Sequence, residues 1–235
     1  VVNPGDEVII PTPYWVSYGD QVKMAEGVPV FVQAKEDNHF KVTVEQLEAA
    51  RTDKTKVLVL NSPSNPTGMI YSREELLAIG NWAVAHDVLI LADDIYGRLV
   101  YNGNEFVPIS SLSEAIRKQT IVINGVSKAY AMTGWRVGYA VGNPEIIAAM
   151  SKLTGQTTSN LTAVSQYATI EALTGPQDSV ETIRQAFEER LNTIYPLLCQ
   201  VPGFEVVKPQ GAFYLFPNVK KAMEMKGYTD VTDFT

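Results

Sequence analysis

Lys128 and Arg136 lie in one short segment, NGVSKAYAMTGWR at 124–136, and their side chains could do linked chemistry. A lysine in a turn after a buried strand is partly desolvated, which favours the neutral amine and lets it attack a carbonyl. The planar guanidinium of Arg136 suits a phosphate, to which it can donate two hydrogen bonds, and the Ser127 hydroxyl could bind the same anion. The segment therefore predicts a Schiff-base lysine beside an anion site.

Four further residues offer a carboxylate, a phenol, an amide and an indole. Asp93 ends an apolar strand, where an unpaired carboxylate would be costly to bury, so it needs a cationic partner such as a protonated pyridine nitrogen. Tyr96 and Asn65 could both bind a phenolate oxygen on a ring, and Trp15 offers a face on which that ring could stack. Together with the amine and the guanidinium, these groups describe a pocket for pyridoxal phosphate.

The elements that must position these residues are predicted from short β-branched runs that alternate with helical patterns. We expect strands at 7–10, 28–33, 56–60, 88–92, 120–123 and 137–141, and helices at 15–25, 43–51 and 72–86. This alternation predicts an α/β fold with an open, mostly parallel sheet flanked by helices. Ligands bind at the carboxyl ends of the strands in such sheets. The segments SPSNPTG, DDIYG and NGVSKAYAMTGWR each follow a strand, so we expect them to meet at one site.

Several local signals predict where helices begin and where the domains divide. Ser72 and Glu75 form a capping box, and Asn143 is expected to cap a helix with Pro144 at its first position. The segment TGPQDS at 174–179 is the best linker candidate, between helices over about 160–173 and up to about 200. We therefore expect a large cofactor-binding domain over 1–174 and the beginning of a small α+β domain over 175–235. The small domain would contain strands at 204–207 and 212–216, and a helix would begin in TDVTDFT at 229–235.

Composition narrows the classes of partner and the compartment. Lys plus Arg number 19 against 26 for Asp plus Glu, a net charge of −7, which argues against nucleic acid and anionic membranes as partners. The single cysteine, Cys199, cannot form an internal disulfide, and there is no Cys/His cluster to predict a metal site. A reducing cytoplasm fits this cysteine usage, and no apolar run approaches the roughly 18 residues of a membrane-spanning helix.

The run GVSKAYAMTGWRVG at 125–138 resembles the lysine signature of class I aminotransferases, the aspartate aminotransferase family of fold-type I pyridoxal-phosphate enzymes. SPSNPTG, DDIYG and PYW occur in the family's order and at about its spacing. The resemblance covers essentially the whole chain. It implies pyridoxal 5′-phosphate as cofactor, an amino acid and a 2-oxo acid as substrates, and a homodimer in the full-length protein.

The resemblance also implies three catalytic residues. Lys128 would form the Schiff base with the cofactor and then act as general base and acid. Asp93 would keep the pyridine nitrogen protonated, so that the ring accepts electrons from the substrate. Tyr96 would bind the ring oxygen and keep it ionised, which lowers the pKa of the Schiff base.

The remaining implied roles are in cofactor binding. Asn65 would share the ring oxygen with Tyr96, Trp15 would stack on the ring, and Arg136 with Ser127 would hold the phosphate. The segment GAFYLF at 211–216 resembles one that lines the substrate entrance in the family, and as a bare pattern it predicts a half-buried strand. Family members often hold the peptide bonds that match Thr12–Pro13 and Asn65–Pro66 in the cis form.

The sequence departs from the family pattern in what it lacks. Many members carry a hydroxyl residue three positions before the lysine, where this chain has Gly125. A phosphate-binding turn, a tyrosine that reaches across the dimer and an arginine that binds the substrate α-carboxylate are also missing. The chain thus resembles the middle part of a family member, and we expect this fragment by itself to be inactive.

Three alternatives stay open on the sequence alone. Aspartate with 2-oxoglutarate is the preferred substrate pair, while an aromatic-amino-acid or alanine aminotransferase, or a carbon–sulfur lyase, would use the same fold. A transcriptional regulator that senses pyridoxal phosphate is an alternative from another class. It would require a DNA-binding helix-turn-helix ahead of the domain, and the chain shows neither that motif nor a basic segment.

Overall fold

A six-stranded sheet forms the centre of the protein. The computed structural model describes all residues from Val1 to Thr235. The strands are Glu7–Thr12 (β1), Val28–Gln33 (β2), Thr55–Asn61 (β3), Leu89–Asp93 (β4), Thr120–Gly125 (β5) and Gly138–Val141 (β6). Their order is β2-β1-β3-β4-β5-β6, and every pair is parallel except the antiparallel pair β5–β6. The predicted α/β fold with a mostly parallel sheet is therefore confirmed.

Nine helices and a second, small sheet complete the chain. The helices are Ser17–Met24 (α1), Val44–Ala50 (α2), Arg73–Ala85 (α3), Glu114–Lys118 (α4), Pro144–Thr157 (α5), Ala163–Thr174 (α6), Asp178–Leu198 (α7), Lys220–Lys226 (α8) and Val231–Phe234 (α9). Strands Glu205–Val206 (β7) and Pro217–Asn218 (β8) pair antiparallel. None of these helices combines the length and the apolar character needed to cross a bilayer.

The predicted helix caps are confirmed at two positions. The Ser72 hydroxyl accepts from Glu75 N at 3.3 Å, and the Glu75 carboxylate accepts from Ser72 N at 2.6 Å, so the capping box begins α3. Asn143 Oδ1 accepts from Glu145 N at 2.8 Å, with Pro144 as the first residue of α5. Because α6 ends at Thr174, the predicted linker lies between two helices, and the division into two domains stays a prediction.

The central strands are anchored because apolar side chains cover both faces of the sheet. Leu58 and Ile90 belong to a cluster of 18 buried residues under α2, α3 and α4. Val57 and Val59 point to the opposite face, where they join a smaller cluster with residues of α1. Burying one such side chain contributes about 1.5–3 kcal/mol, so the carboxyl ends of β3 and β4 emerge from a firmly packed layer.

The predicted strand at 212–216 is wrong. Ala212 is buried in the left-handed region with φ 59°, which breaks an extended conformation. Its N–H donates to Leu99 O at 2.9 Å, and a Cβ at Gly211 would lie 2.8 Å from that same carbonyl. The apolar pattern of GAFYLF therefore reflects close packing against residues 99–101, and the strand β8 begins only at Pro217.

Candidate functional site

A cavity of about 390 Å³ opens at the carboxyl ends of β3, β4 and β5. Small-molecule sites typically have volumes of about 300–1,000 Å³. The parallel register aligns the strand ends, since Asn61 pairs with Asp93 and Asp93 pairs with Ile123. All seven predicted site residues line this cavity: Trp15, Asn65, Asp93, Tyr96, Ser127, Lys128 and Arg136.

One side of the cavity, called the strand-end wall below, consists of Asn61 and Asp93 together with Tyr18 of α1. The Tyr18 hydroxyl donates to Asp93 Oδ2 at 2.6 Å, and Ile95 N donates to Oδ1 at 3.2 Å. Burial raises the pKa of Asp93, while the bonds from Tyr18 and Ile95 act in the opposite direction. The Asp93 carboxylate thus faces the cavity with neutral donors on both oxygens and without an ion-pair partner.

Sequence reasoning did not identify Tyr18 or Asn61 as site residues. Tyr18 lies three positions after Trp15, and their rings meet edge to face with centroids 5.3 Å apart. Burial, with the nearby Asp93 charge, raises the pKa of Tyr18 far above its ordinary value, so this phenol stays a donor. Asn61 Nδ2 donates to Asp93 O at 2.8 Å and Asn61 Oδ1 accepts from Asn65 N at 2.7 Å. Its position as the last residue of an apolar strand, like that of Asp93, was the available signal.

A second part of the lining, called the turn wall, consists of Ser127, Thr133 and Arg136 in the loop between β5 and β6. Thr133 Oγ1 donates to Ser127 O at 3.0 Å, and Arg136 donates one N–H to Thr133 O at 2.9 Å. These bonds hold the loop in shape. The Arg136 side chain is exposed, makes no ion pair and keeps most of its five N–H donors for a ligand.

Gly125 explains why the family's hydroxyl residue is absent at this position. A Cβ here would lie 2.8 Å from Val137 O and 3.2 Å from Gly138 Cα. Any side chain would therefore push β5 and β6 apart, where Gly125 pairs directly with Gly138. Anion binding on the turn wall must come from neighbouring residues.

The Lys128 amine lines the same cavity, beside two aromatic rings. Its Nζ is 5.9 Å from the ring centroid of Tyr96 and 5.5 Å from that of Phe213. Phe213 and Tyr214 come from the segment 211–216, and Tyr214 Oη is 2.6 Å from Tyr96 Oη. Tyr214 is a further cavity residue that was not predicted individually, although its segment had been identified as resembling an entrance lining.

Asp94 follows Asp93 in the segment DDIYG, but its side chain lies in a different place. It is only 7% exposed and does not line the cavity. Its N–H donates to Ile123 O at 2.9 Å, so the chain continues alongside β5 for one more residue and keeps the side chain inside. Burial, and then the charge of Asp93, raises the pKa of Asp94 to about 7.

Comparison with known proteins decides the family. A sequence model described as "Aminotransferase class I and II" matches residues 1–232. The chain belongs to this family. The peptide bonds Thr12–Pro13, Ser62–Pro63 and Asn65–Pro66 are cis, and the first and third are the two that the resemblance pointed to.

Individual class I and II aminotransferases are similar over nearly the whole chain. An asparagine–oxo-acid transaminase of Streptococcus mutans serotype c is 77% identical over 100% of this chain and 60% of its own length. An aspartate aminotransferase of Bacillus sp. strain YM-2 is 58% identical over the same shares. The solved aspartate aminotransferase of Rhizobium meliloti superposes with a TM-score of 0.91 at 43% identity, over 94% of this chain and 56% of that one. The chain thus spans about 60% of the length of these curated relatives.

The donor set of the aminotransferase cavity fits pyridoxal phosphate. Asp93 is a partly buried carboxylate that feels the charge of Lys128 but has no ion-pair partner in direct contact, which suits a protonated ring nitrogen. Arg136 has free N–H donors on the turn wall, which suit a phosphate. The Lys128 amine lines the same cavity, where it could meet a carbonyl group, and no acidic side chain hydrogen-bonds it.

Proposed function

We propose that the full-length gene product is a pyridoxal-phosphate-dependent aminotransferase that moves an amino group between an amino acid and a 2-oxo acid. One observation carries the proposal. In a member of the aminotransferase family, the Lys128 amine, the Asp93 carboxylate and the Arg136 guanidinium line the same cavity. Each of these groups has bonding capacity left for a ligand.

The bound cofactor supplies an aldehyde that links to amines and a ring that withdraws electrons from the attached carbon. Lys128 Nζ would bind that aldehyde carbon through a C=N bond, and once a substrate amine has replaced it there, the freed amine would take the proton from the substrate α-carbon and deliver it to the former aldehyde carbon. Asp93 holds a proton on the ring nitrogen, because a buried carboxylate favours a cationic partner. Tyr96 donates a hydrogen bond to the ring oxygen, which keeps that oxygen ionised.

Four residues hold the cofactor in this proposal. Asn65 Nδ2 donates to the ring oxygen beside Tyr96. Trp15, which is 40% exposed at the edge of the cavity, offers its indole face to the ring. Arg136 and Ser127 donate to the phosphate on the turn wall, where solvent still reaches the guanidinium.

Two amino-group donors are supported by different relatives. Aspartate, with 2-oxoglutarate as acceptor, is the donor in the primary proposal, and two relatives at 58% identity are named aspartate aminotransferases. The relative at 77% identity is named an asparagine–oxo-acid transaminase, which makes asparagine the second candidate. Aspartate ends in a carboxylate, whereas asparagine ends in an amide. Rates with asparagine and aspartate at matched concentrations, with tyrosine and alanine as further donors, decide between them.

We also propose that the full-length gene product is a homodimer, as the family resemblance implies, and that it is cytoplasmic, as the cysteine usage of this chain indicates. Sedimentation equilibrium of the full-length product tests the dimer directly. A monomer at concentrations that support full activity would contradict it.

The central claim is tested by locating the cofactor on the chain. The full-length product mixed with pyridoxal phosphate should develop a visible absorbance band. Borohydride reduction followed by peptide mass spectrometry should then place the adduct on Lys128. Lys128→Ala should show neither band nor adduct, while Lys118→Ala, at an exposed helix end, should keep both. An adduct at any other lysine would overturn the proposal.

A further inference from the structure

Tyr214 brings a second phenol to the cavity, and it is part of a continuous chain of hydrogen bonds. Asn65 Nδ2 donates to Tyr214 Oη at 3.3 Å, and Tyr214 Oη is 2.6 Å from Tyr96 Oη. The two tyrosine rings meet edge to face with centroids 5.7 Å apart. This packing fixes the hydroxyl of Tyr214 beside that of Tyr96.

The number of available protons decides which group donates in each of these hydrogen bonds when the cavity holds an anionic oxygen. Two phenol oxygens 2.6 Å apart need one proton between them, and each phenol has only one to give. A hydrogen bond to an anion is stronger than one to a neutral phenol, so the anion takes the proton of Tyr96. The proton between the two phenols must then come from Tyr214, whose oxygen accepts from Asn65.

We propose that Tyr214 is a positioning residue that directs the Tyr96 proton into the cavity and makes Tyr96 a stronger donor to the cofactor's ring oxygen. The proposal rests on the proposed function. Each hydrogen bond in the chain from Asn65 through Tyr214 to Tyr96 polarises the next one. Asn65 keeps a second N–H for the cofactor itself, since an amide nitrogen carries two donors.

The same arrangement connects two distant parts of the chain. Tyr214 follows Ala212 and Phe213, which pack against Tyr96 and the residues after it. Its backbone belongs to the part of the chain predicted as the small domain, whereas Tyr96 and Asn65 follow strands of the large sheet. The position of the segment 211–216 therefore affects the donor strength at the ring oxygen.

The decisive variant is Tyr214→Phe, which removes the hydroxyl and keeps the ring. The full-length gene product is loaded with pyridoxal phosphate, and its visible absorbance is titrated with pH. A weaker Tyr96 donor stabilises the ionised ring oxygen less, so the proton on the lysine-linked nitrogen is held more tightly. We expect the midpoint of the absorbance change to rise by roughly 0.5 pH unit, about threefold in proton affinity.

Two further variants separate this role from a general structural one. Tyr195→Phe loses a phenol that donates to Val206 O at 3.4 Å, away from the cavity, and should leave the midpoint unchanged. In a Tyr96→Phe background the hydrogen bonds from Tyr214 no longer reach the ring oxygen through Tyr96. Adding Tyr214→Phe should therefore produce no further shift of the absorbance midpoint.

The outcomes distinguish this inference from the proposed function. If the parent protein forms the Lys128 adduct but Tyr214→Phe leaves the midpoint in place, the role of Tyr214 is overturned. A shift of equal size in the Tyr96→Phe background would overturn it as well. A parent protein without the Lys128 adduct contradicts the proposed function instead.

Discussion

The strand-end wall and the turn wall face the same cavity but are built in opposite ways. On the strand-end wall, Tyr18 is 7% exposed and Asp93 has neutral donors on both carboxylate oxygens. On the turn wall, Arg136 is exposed and donates only to Thr133 O. One wall therefore presents a partly buried carboxylate whose two oxygens each already accept one hydrogen bond, and the other presents free donors in contact with solvent.

This difference has an electrostatic consequence. A buried charge interacts strongly with a bound ligand because little water screens it. The interaction of an exposed charge with a ligand is screened by salt, with a screening length of about 8–10 Å. The strand-end wall should therefore control the chemistry of a bound ring, and the turn wall should control mainly how tightly the ligand is held.

Asp93→Asn should have the largest effect, because it removes the buried charge and keeps the size of the side chain. We expect kcat to fall by about 10²–10³-fold, the range for losing one preorganised electrostatic contact, with little change at high salt. Asp94→Asn is the matched control, since Asp94 is the adjacent buried carboxylate and does not line the cavity. Similar losses in the two variants would show that burial alone, and not contact with the cofactor, is responsible.

Arg136→Lys should act on affinity. Lysine keeps the charge but not the planar pair of donors, so we expect the Kd for pyridoxal phosphate to rise about tenfold, equivalent to 1.4 kcal/mol. The Kd of the parent protein should also rise with salt, in contrast to the effect of Asp93→Asn. Absorbance titration measures both, and Arg117→Lys, at the exposed end of α4, is the control. A fall in kcat at saturating cofactor would break the proposed division between the walls.

Much of this arrangement was predictable from local sequence. The strands β3 and β4 are apolar on both faces, which a short run of residues already shows. Ser72 and Glu75 form their capping box within four residues, so neighbouring residues are enough to predict where α3 begins. The polar residues that follow those strands lie at one sheet edge because parallel strands end together. The identification of the cofactor pocket needed the resemblance as well.

The residues that were missed depend on contacts between distant positions. Tyr18 and Asp93 are 75 positions apart, and Tyr96 and Tyr214 are 118 apart, so no local pattern connects them. The burial of Asp94 depends on how far β4 runs along β5. In the same way, GAFYLF has the alternation of a strand but adopts a turn because of packing against residues 99–101.

Asp94→Asn measures how much a buried carboxylate lowers the free energy of unfolding. The pKa of Asp94 is raised to about 7 in the folded protein, so the folded state binds a proton more tightly than the unfolded state. The parent protein therefore loses stability as pH rises from the unfolded pKa towards about 7, while the variant escapes this loss. From about pH 5.5 to about pH 8.5, the unfolding free energy of the variant relative to the parent should increase by about 2 kcal/mol.

Urea unfolding of the parent and the variant at those two pH values measures this difference. Asp233→Asn, in the exposed last helix, should show no such pH-dependent gain. A constant difference between Asp94→Asn and the parent would mean that Asp94 ionises in the folded protein as readily as in the unfolded chain.

Tyr18→Phe should have the smallest effect and tests whether the hydrogen bonds of the strand-end wall adjust its charge. The Tyr18 hydroxyl lowers the pKa of Asp93 against the larger opposing effect of burial, so its loss raises that pKa further. Because the proposed chemistry requires ionised Asp93, the acid limb of kcat/KM should move to higher pH by about one unit, as expected for a hydrogen bond to a charged group. Activity near pH 8 should change little.

Tyr71→Phe, which loses a buried phenol bonded to Val42 N at 3.0 Å, should leave the acid limb in place. If the acid limb of Tyr18→Phe did not move, burial and not the Tyr18 hydrogen bond would control the pKa of Asp93. The hydrogen bonds of the strand-end wall would then serve packing and would not adjust its charge.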